Sequence, residues 1–180
     1  MSSDATAHGP LRIRRAAVKD AQALVALSAE TFTQTFGHLY KPQDLAAFLD
    51  SAYDLGKHAQ LLEDPEFAVW LLEAENGPVG YALAGPCGLP HEGVGPGDRE
   101  LKRLYILSNY QGLGYGARLM EVFLDWCGEH TAWLGVWSEN FGAQRFYSRY
   151  GFKKAGDYYF AVGEHRDYEF IMRRPASATA

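Results

Sequence analysis

The stretch LYILSNYQGLGYGA, residues 104–117, joins an apolar strand to the start of an amphipathic helix. The turn between them contains three glycines, Gly112, Gly114 and Gly116. Backbone N–H groups at the start of a helix have no partner within the helix and lie at the positive end of its dipole. Glycine lets a ligand approach them without meeting a Cβ atom. The stretch therefore predicts a phosphate-binding turn.

Two common classes of phosphate-binding turn fit this stretch poorly. A P-loop requires a lysine directly after its last glycine, and residues 103–152 contain no lysine. The Gly-x-Gly-x-x-Ala pattern of residues 112–117 has the form of a dinucleotide-binding fingerprint, with Glu139 as a candidate ribose ligand. However, residues 108–111 separate the strand from the first glycine. The chain after Glu139 is also too short to complete a doubly wound sheet.

The turn and a second motif resemble those of one enzyme family. Gln111-x-x-Gly114-x-Gly116 resembles the Gln/Arg-x-x-Gly-x-Gly/Ala motif with which the GNAT family of N-acetyltransferases holds the pyrophosphate of acetyl-CoA. Residues 140–152, NFGAQRFYSRYGF, resemble the second family motif, Asn-x-x-Ala-x-x-Phe-Tyr-x-x-x-Gly-Phe. With their flanking strands, the two motifs cover residues 98–172, and the amino-terminal half matches the family less closely.

The resemblance implies an α+β fold in which a single mixed, mostly antiparallel sheet of six or seven strands is flanked by helices. We expect this domain to span residues 11–174, with disordered tails at residues 1–10 and 175–180. Hydrophobic periodicity and turn residues agree with the expected order of elements. They predict strands at residues 11–14, 66–74, 79–85, 98–107, 133–137, 158–162 and 168–173, and helices at residues 19–36, 42–53, 55–63, 114–128 and 141–150.

The composition is that of one globular domain: 47% of the 180 residues are hydrophobic and 22% are charged. The first ten residues lack the apolar core of a secretory signal, and no apolar run has the length of a membrane span. The cysteines and histidines show no metal-binding spacing, and no basic stripe with interleaved aromatic residues indicates nucleic acid binding. We therefore expect a cytoplasmic protein without metal, membrane or nucleic acid partner. Homodimers are frequent in folds of this family.

The charges are distributed unevenly along the chain. Residues 20–98 contain twelve acidic and two basic residues, whereas the rest of the chain contains ten acidic and fifteen basic ones. Two interpretations stay open. The acidic half is either an ordinary solvated surface or the binding region for a cationic acceptor, with the anionic cofactor on the basic half.

The resemblance implies transfer of an acetyl group from acetyl-CoA to a primary amine by direct attack, without a covalent enzyme intermediate. A lysine-like amine has a pKa near 10.4, so holding it neutral at pH 7 costs roughly 4–5 kcal/mol, and a base must accept its proton. Glu100, at the start of a strand that becomes fully apolar, is the candidate base, with Glu30 and His165 as alternatives. Tyr147 occupies the position where many family members carry the donor for the departing thiolate. Both residues also have a purely structural interpretation. Glu100 would then be a carboxylate at a protruding strand end, and Tyr147 would be a core side chain.

The family motifs assign cofactor contacts residue by residue. The strand backbone around Tyr105 is expected to pair with the pantetheine arm, chiefly through Leu104 and Ile106. Asn140 is expected to bind the same arm, and Arg149 to reach the adenosine phosphates. The pyrophosphate is assigned to the turn formed by Gln111, Gly112, Leu113, Gly114, Tyr115, Gly116 and Ala117.

Several segments are most similar to the PaiA-type polyamine acetyltransferases, namely residues 31–36, 44–49, 100–105, 133–137 and 167–172. The predicted acceptor is therefore a small cationic amine, a polyamine such as spermidine or spermine. An amino terminus or lysine of a protein is the alternative acceptor. A non-catalytic module that senses acetyl-CoA is the alternative class of protein. Tyr147 argues against the sensor, because a sensor needs no donor for a leaving group.

Overall fold

The structure of the protein is a computed structural model that describes residues 9–177. Within these residues, seven strands form one sheet in the order β1-β2-β3-β4-β5-β7-β6. The strands are β1 Arg12–Arg15, β2 Ala68–Ala74, β3 Gly77–Pro86, β4 Arg99–Ile106, β5 Ala132–Trp137, β6 Lys153–Val162 and β7 His165–Arg174. The helices are α1 Ala21–Phe36, α2 Pro42–Ala52, α3 Leu55–Glu63, α4 Tyr115–Cys127 and α5 Phe141–Arg149.

The sheet is antiparallel except between β4 and β5, which confirms the expected mixed, mostly antiparallel sheet flanked by helices. Several boundaries shift by one to three residues, and the largest difference is at β6, which begins at Lys153, five residues before the predicted start at residue 158. The segment 153–157 contains two lysines and a glycine, so its own strand propensity is low, and pairing with β7 supplies its backbone hydrogen bonds. The expected tails, residues 1–10 and 175–180, lie largely outside the described residues.

A gap opens between β4 and β5, the two central strands. They pair only where Arg99 faces Ala132 and Glu100 faces Trp133. On the other edge of β4, Leu83 pairs with Arg103 and Ala84 with Leu101, so Lys102 is an extra residue in the ladder. A β-bulge of this kind bends its strand and increases the local twist. The bulge therefore lies where β4 turns away from β5, and beyond it both strands keep an unpaired edge that faces the other.

The two faces of the sheet bury separate sets of side chains. On one face, Leu119, Met120 and Phe123 of α4 are fully buried against the strands. On the other face, Leu24 and Leu27 of α1 pack against alternate residues of the same strands. Fully burying one such side chain contributes about 1.5–3 kcal/mol. These helices therefore hold β2, β3 and β4 from both faces of the sheet.

A third cluster fills the space between the first helices and the β6–β7 hairpin. The ring of Phe32 of α1 lies 4.7 Å from that of Phe48 of α2, and the ring of Phe48 lies 5.8 Å from that of Phe160 of β6. Tyr53 and Val162 are buried in the same cluster. The cluster places aromatic rings on the side of the gap that lies away from α4.

An ion-pair cluster ties the start of the chain to the sheet. The guanidinium of Arg14 on β1 donates to both carboxylate oxygens of Asp20 at 2.8 and 2.9 Å and to Glu73 of β2 at 2.7 Å. Asp20 also accepts the backbone N–H of Ala17 at 2.8 Å. The hydrogen bonds from Arg14 lower the pKa of Asp20 to about 2 against the opposing effect of burial. The charged form of this carboxylate is thus part of the folded state.

We expect Asp20→Asn to lower the free energy of unfolding at pH 7 by about 2 kcal/mol, the linkage value of this pKa depression. Because the folded pKa lies below the unfolded one, the wild-type contribution is fully present above roughly pH 4 and is lost as the pH falls toward about 2. Urea unfolding at pH 7 and pH 3 measures both effects. Asp125→Asn, at an exposed position of α4, is the control, and an equal effect of both substitutions contradicts the prediction.

Candidate active site

A cavity of about 1140 Å³ occupies the gap between β4 and β5 and continues toward α1 and α2. Typical ligand pockets have volumes of roughly 300–1,000 Å³, so this cavity has room for two ligands at once. Both family motifs contribute to its wall. The lining side chains and backbone groups come from the glycine turn, β4, β5 and α5 on one side and from the aromatic cluster and the β6–β7 hairpin on the other.

The glycine turn forms one end of the cavity. Gly112 and Gly114 have φ angles of +76° and +85°, which side chains with a Cβ rarely adopt, and no atom lies within 4 Å of where their Cβ atoms would be. Gly114 directly precedes α4, whose first N–H groups face outward from the helix end. Gly112 and Gly116 line the cavity. The turn therefore has the backbone shape and the free space that a phosphate requires.

Three predicted residues of the turn contribute no side chain to the cavity: Leu113, Tyr115 and Ala117. The Leu113 side chain is 52% exposed. Only the backbone N–H groups of these residues can take part in holding a phosphate. Gln111 does line the cavity, and its side-chain Nε2 donates to the carbonyl oxygen of Ile106 at 2.8 Å. This bond ties the turn to the end of β4.

The free edge of β4 faces the cavity. The N–H of Leu107 donates to the carbonyl of Val79 at 2.8 Å, so the backbone of Leu107 faces the neighbouring strand β3. Successive residues of a strand point their backbone groups in opposite directions, and Ile106 and Leu104 therefore face the gap. Tyr105 pairs with Tyr81 of β3, and it reaches the cavity only through its ring. Leu104 and Ile106 are thus the two residues whose backbone a linear ligand can meet.

The structure separates Asn140 from Arg149, the two predicted cofactor residues of the second motif. Asn140 lines the cavity, and its Oδ1 accepts the N–H of Ala143 at 3.1 Å as the cap of α5. The side-chain NH₂ group of Asn140 is then the group left to bind a ligand. Arg149 does not line the cavity, and its guanidinium lies 5.6 Å from the ring of Phe146 on an exposed part of α5. The position of Arg149 gives no support to its predicted role.

Tyr147 lines the cavity from α5. Its ring packs at 6.2 Å from that of Phe152 and at 5.4 Å from that of Phe146. Burial raises the pKa of the Tyr147 phenol to about 12. Full proton transfer from such a phenol to a thiolate whose conjugate acid has a pKa near 8.5 is uphill by about 5 kcal/mol. The hydroxyl is therefore suited to donating a hydrogen bond rather than to giving up its proton.

Of the three predicted base candidates, only Glu100 lines the cavity. Its side chain lies where β4 and β5 part, and Oε2 accepts the N–H of Gly88 at 2.9 Å and the Nζ of Lys102 at 2.8 Å. Glu30 is exposed on α1. His165 lies at the start of β7, where Nε2 contacts Asp167 at 2.9 Å. Glu100 thus remains a candidate by position, although two donors already occupy one of its oxygens.

Two carboxylates of β7 that the sequence reasoning missed also line the cavity, Asp167 and Glu169. Asp167 is 6% exposed and accepts hydrogen bonds from the hydroxyl of Tyr40 and from His165. Glu169 accepts a hydrogen bond from the hydroxyl of Tyr158 at 2.7 Å. The two residues are followed at the same spacing by the buried Ile171. Acidic residues on the inward face of a strand were the signal that sequence reasoning could have used.

The interpretation that the acidic first half faces the acceptor is wrong for this cavity. Among the described lining residues, those between positions 20 and 98 are aromatic, alanine or threonine, and the carboxylates come from positions 100, 167 and 169. Acidic residues of the first half serve elsewhere. Asp20 and Glu73 bind Arg14, and Asp54 accepts the N–H of Lys57 at the start of α3. The net charge of a segment of sequence does not indicate which of its side chains face the cavity.

Among residues 9–177, no helix combines the length and the apolar character needed to cross a membrane. Nor does that part of the chain bring together three or more histidine, cysteine, aspartate or glutamate side chains in a metal-binding arrangement.

Comparison with known proteins agrees with the motifs and the fold. Residues 31–152 match the model of the acetyltransferase (GNAT) family. An uncharacterised N-acetyltransferase of Mycobacterium bovis is 35% identical over 161 residues, which cover 86% of this chain and 97% of the relative. The crystal structure of the PaiA N-acetyltransferase of Thermoplasma acidophilum in complex with coenzyme A has a TM-score of 0.72 and 19% identity, covering 93% of this chain and 99% of that one.

A second solved structure, the ribosomal-protein-alanine N-acetyltransferase of Brucella melitensis, has a TM-score of 0.70 and 26% identity, covering 91% of this chain and 99% of that one. The family match spans both motifs and most of the cavity wall. The cavity also contains a glycine turn and a free strand edge. The chain therefore belongs to the acetyltransferase (GNAT) family and is an N-acetyltransferase that uses acetyl-CoA as its co-substrate.

Proposed function

We propose that the protein acetylates a primary amine of a small cationic acceptor of the polyamine kind, such as spermidine or spermine, by direct attack on the thioester. The observation that carries the proposal is the set of three carboxylates on the cavity wall, those of Glu100, Asp167 and Glu169, of which only Glu100 forms an ion pair with a lysine of the described residues, Lys102. An ammonium group gains most from carboxylates that are partly shielded from water, because the local dielectric constant is lower there.

The aromatic rings next to Asp167 and Glu169 suit the same acceptor. Phe32, Tyr40, Phe48 and Phe160 line the cavity beside Asp167 and Glu169. A polyamine alternates ammonium groups with short alkyl segments, and aromatic faces attract cations while their bodies pack against alkyl carbon. The resemblance of several segments to PaiA-type enzymes also supports this acceptor.

The roles proposed for the cofactor side follow from the geometry of its residues. The N–H groups of the turn at residues 112–117 hold the pyrophosphate, and the backbone edges of Leu104 and Ile106, with the amide of Asn140, hold the pantetheine arm. Acetyl-CoA supplies an activated acyl group and a sulfur leaving group. Tyr147 donates a hydrogen bond to the sulfur as negative charge develops on it.

Arg103 favours a second candidate acceptor. Its guanidinium lines the cavity, lies 4.8 Å from the ring of Tyr53 and donates to Nε2 of His58 at 3.1 Å. Burial lowers the pKa of His58, which favours the neutral ring that accepts this bond. No carboxylate among residues 9–177 forms an ion pair with Arg103. An unpaired guanidinium of this kind binds the carboxylate or carbonyl oxygens of a peptide, so the amino terminus of a peptide is the second candidate.

A thiol-release assay with acetyl-CoA and a panel of amines decides between the two. We expect kcat/KM for spermidine or spermine to exceed that for alanine-terminated peptides and for free amino acids by at least about tenfold, the effect of ~1.4 kcal/mol of selective binding. Arg103→Gln removes a cation from the cavity. It should leave polyamine turnover equal or higher and lower the turnover of peptides. Higher kcat/KM for peptides than for polyamines in the wild-type protein, or polyamine turnover that falls in Arg103→Gln, contradicts the polyamine proposal.

A further inference from the structure

A carboxylate and a phenol form a pair on the inner face of the β6–β7 hairpin. The register of the hairpin places Tyr158 of β6 directly opposite Glu169 of β7. The Tyr158 hydroxyl donates to Oε2 of Glu169 at 2.7 Å, and both side chains line the cavity. This bond holds Glu169 in one orientation and leaves Oε1 as the oxygen that can meet a ligand.

Gly135 of β5 gives this pair access to the gap. A Cβ atom at position 135 would lie 2.6 Å from the Tyr158 hydroxyl oxygen and 3.1 Å from Oε2 of Glu169, so only glycine allows both polar atoms to lie against the β5 backbone. Position 135 is two residues beyond Trp133, where β5 last pairs with β4. The Glu169 carboxylate therefore lies beside the opening between the two strands, where the cofactor arm and the acceptor must meet.

The surroundings of Glu169 favour proton uptake. Burial raises the pKa of Glu169 and the nearby Asp167 acts in the same direction, whereas the hydrogen bond from Tyr158 lowers it. The other titratable groups on this side are Tyr40 and His165, which both bond Asp167, and Glu100 on β4, which pairs with Lys102. Lys102 and Arg103 line the same cavity. No lysine or arginine among the described residues forms an ion pair with Glu169.

Glu100 is placed differently. Its Oε2 accepts both the ammonium of Lys102 and the N–H of Gly88, so the carboxylate holds the bulge and the loop before β4 in position. A carboxylate engaged with two donors must give up one of them before it can take a proton from a substrate through that oxygen. Glu169 has a single neutral donor on one oxygen.

We propose that Glu169 is the base that accepts the proton of the acceptor amine and that Tyr158 positions it. This inference rests on the proposed function and deepens it. In the step, the amine nitrogen forms a bond to the acetyl carbon, and the carbon–sulfur bond breaks with its electron pair kept on sulfur. The amine proton goes to Glu169 and from there to water, and Tyr147 donates its hydrogen bond to the thiolate.

The first test is Glu169→Gln, which keeps the size of the side chain and an oxygen for the Tyr158 bond. We expect kcat to fall on the order of 10²-fold or more, the usual contribution of one general base. The acidic limb that Glu169 contributes to the profile of kcat/KM against pH should disappear, and only the slope that protonation of the free amine imposes should remain. Affinity for coenzyme A, measured by calorimetry, should stay within about twofold, because Glu169 has no part in holding the cofactor in this proposal. Asp157→Asn, at an exposed position of β6, is the control and should retain wild-type kinetics.

The second test is Tyr158→Phe, because it separates positioning from plain packing. Removing the hydroxyl removes the bond that lowers the pKa of Glu169, so the acidic limb should move to higher pH. A role in packing alone would lower the rate equally at all pH values and leave the limb in place.

The outcomes distinguish this inference from the function on which it rests. An active wild type with an unchanged rate and an unchanged limb in Glu169→Gln overturns the inference alone. Loss of the limb in Glu100→Gln, with the limb retained in Glu169→Gln, assigns the base to Glu100 and also overturns it. A wild type that acetylates no amine overturns the proposed function as well.

Discussion

Gly116→Val is expected to lower the affinity for coenzyme A about 100-fold or more. The added side chain projects into the part of the cavity that the glycine turn lines. It would displace a phosphate from the backbone N–H groups. Losing two charge-assisted hydrogen bonds at about 1.5 kcal/mol each corresponds to this factor. Calorimetry with coenzyme A measures the loss directly, without any assumption about the acceptor.

The fold should tolerate this substitution. Gly116 has no positive φ angle, and a Cβ at this position would meet Phe146 and Ile106 at 3.9 and 4.0 Å, which are ordinary contacts. Glu121→Val places the same side chain on an exposed part of α4 and serves as the control. Gly114→Val is less informative, because the φ angle of +85° would strain the backbone as well. Unchanged affinity in a folded Gly116→Val variant would remove the assignment of the turn to the pyrophosphate.

Tyr147→Phe is expected to lower kcat on the order of 10²-fold, within the usual range for one group that acts on a proton or a developing charge. The substitution keeps the ring that packs against Phe146 and Phe152 and removes only the hydroxyl. The KM for acetyl-CoA should stay within a few-fold, because the hydroxyl acts mainly on charge that appears in the transition state. Steady-state kinetics with a saturating amine measure both constants.

The matched control is Tyr150→Phe, since Tyr150 follows α5, packs at 5.2 Å from Phe146 and does not line the cavity. It should retain wild-type turnover. A thioester with a more acidic thiol should also lose less rate in Tyr147→Phe, because its sulfur needs less stabilisation. If Tyr147→Phe turns over at the wild-type rate, Tyr147 is a core side chain and another group must serve the thiolate.

The contiguous parts of the site were predictable from the sequence. The turn at residues 112–116, the helix that follows it and the capped helix after Asn140 depend on neighbours a few residues apart, through glycine dihedrals and helix capping. The free edge of β4 was also predictable from the motif. Such features depend on interactions along a short stretch of chain, and the pattern of that stretch is enough to indicate them.

Features that depend on packing were predicted less well. Arg149 belongs to the same motif as Asn140, but the motif does not state which face of α5 turns toward the cavity, and Arg149 lies outside it. One interpretation of the acidic excess at positions 20–98 was a binding region for a cationic acceptor, whereas aromatic rings from that half line the wall. The first residues of β6 were not predicted as strand, because only pairing with β7 stabilises their strand conformation.

The sequence by itself determined the family and the order of elements, and it indicated the turn and strand edge that we assign to the cofactor, because these rest on local backbone conformation and on contiguous motifs. Only the tertiary structure showed which side chains line the other end of the cavity. Tyr158 meets Glu169 through the register of a hairpin, and both lie against Gly135 through the pairing of β5 with β7. The aromatic cluster beside them contains side chains of helices that lie more than a hundred residues earlier in the chain. Such contacts depend on strand register and helix packing, which no short stretch of residues specifies.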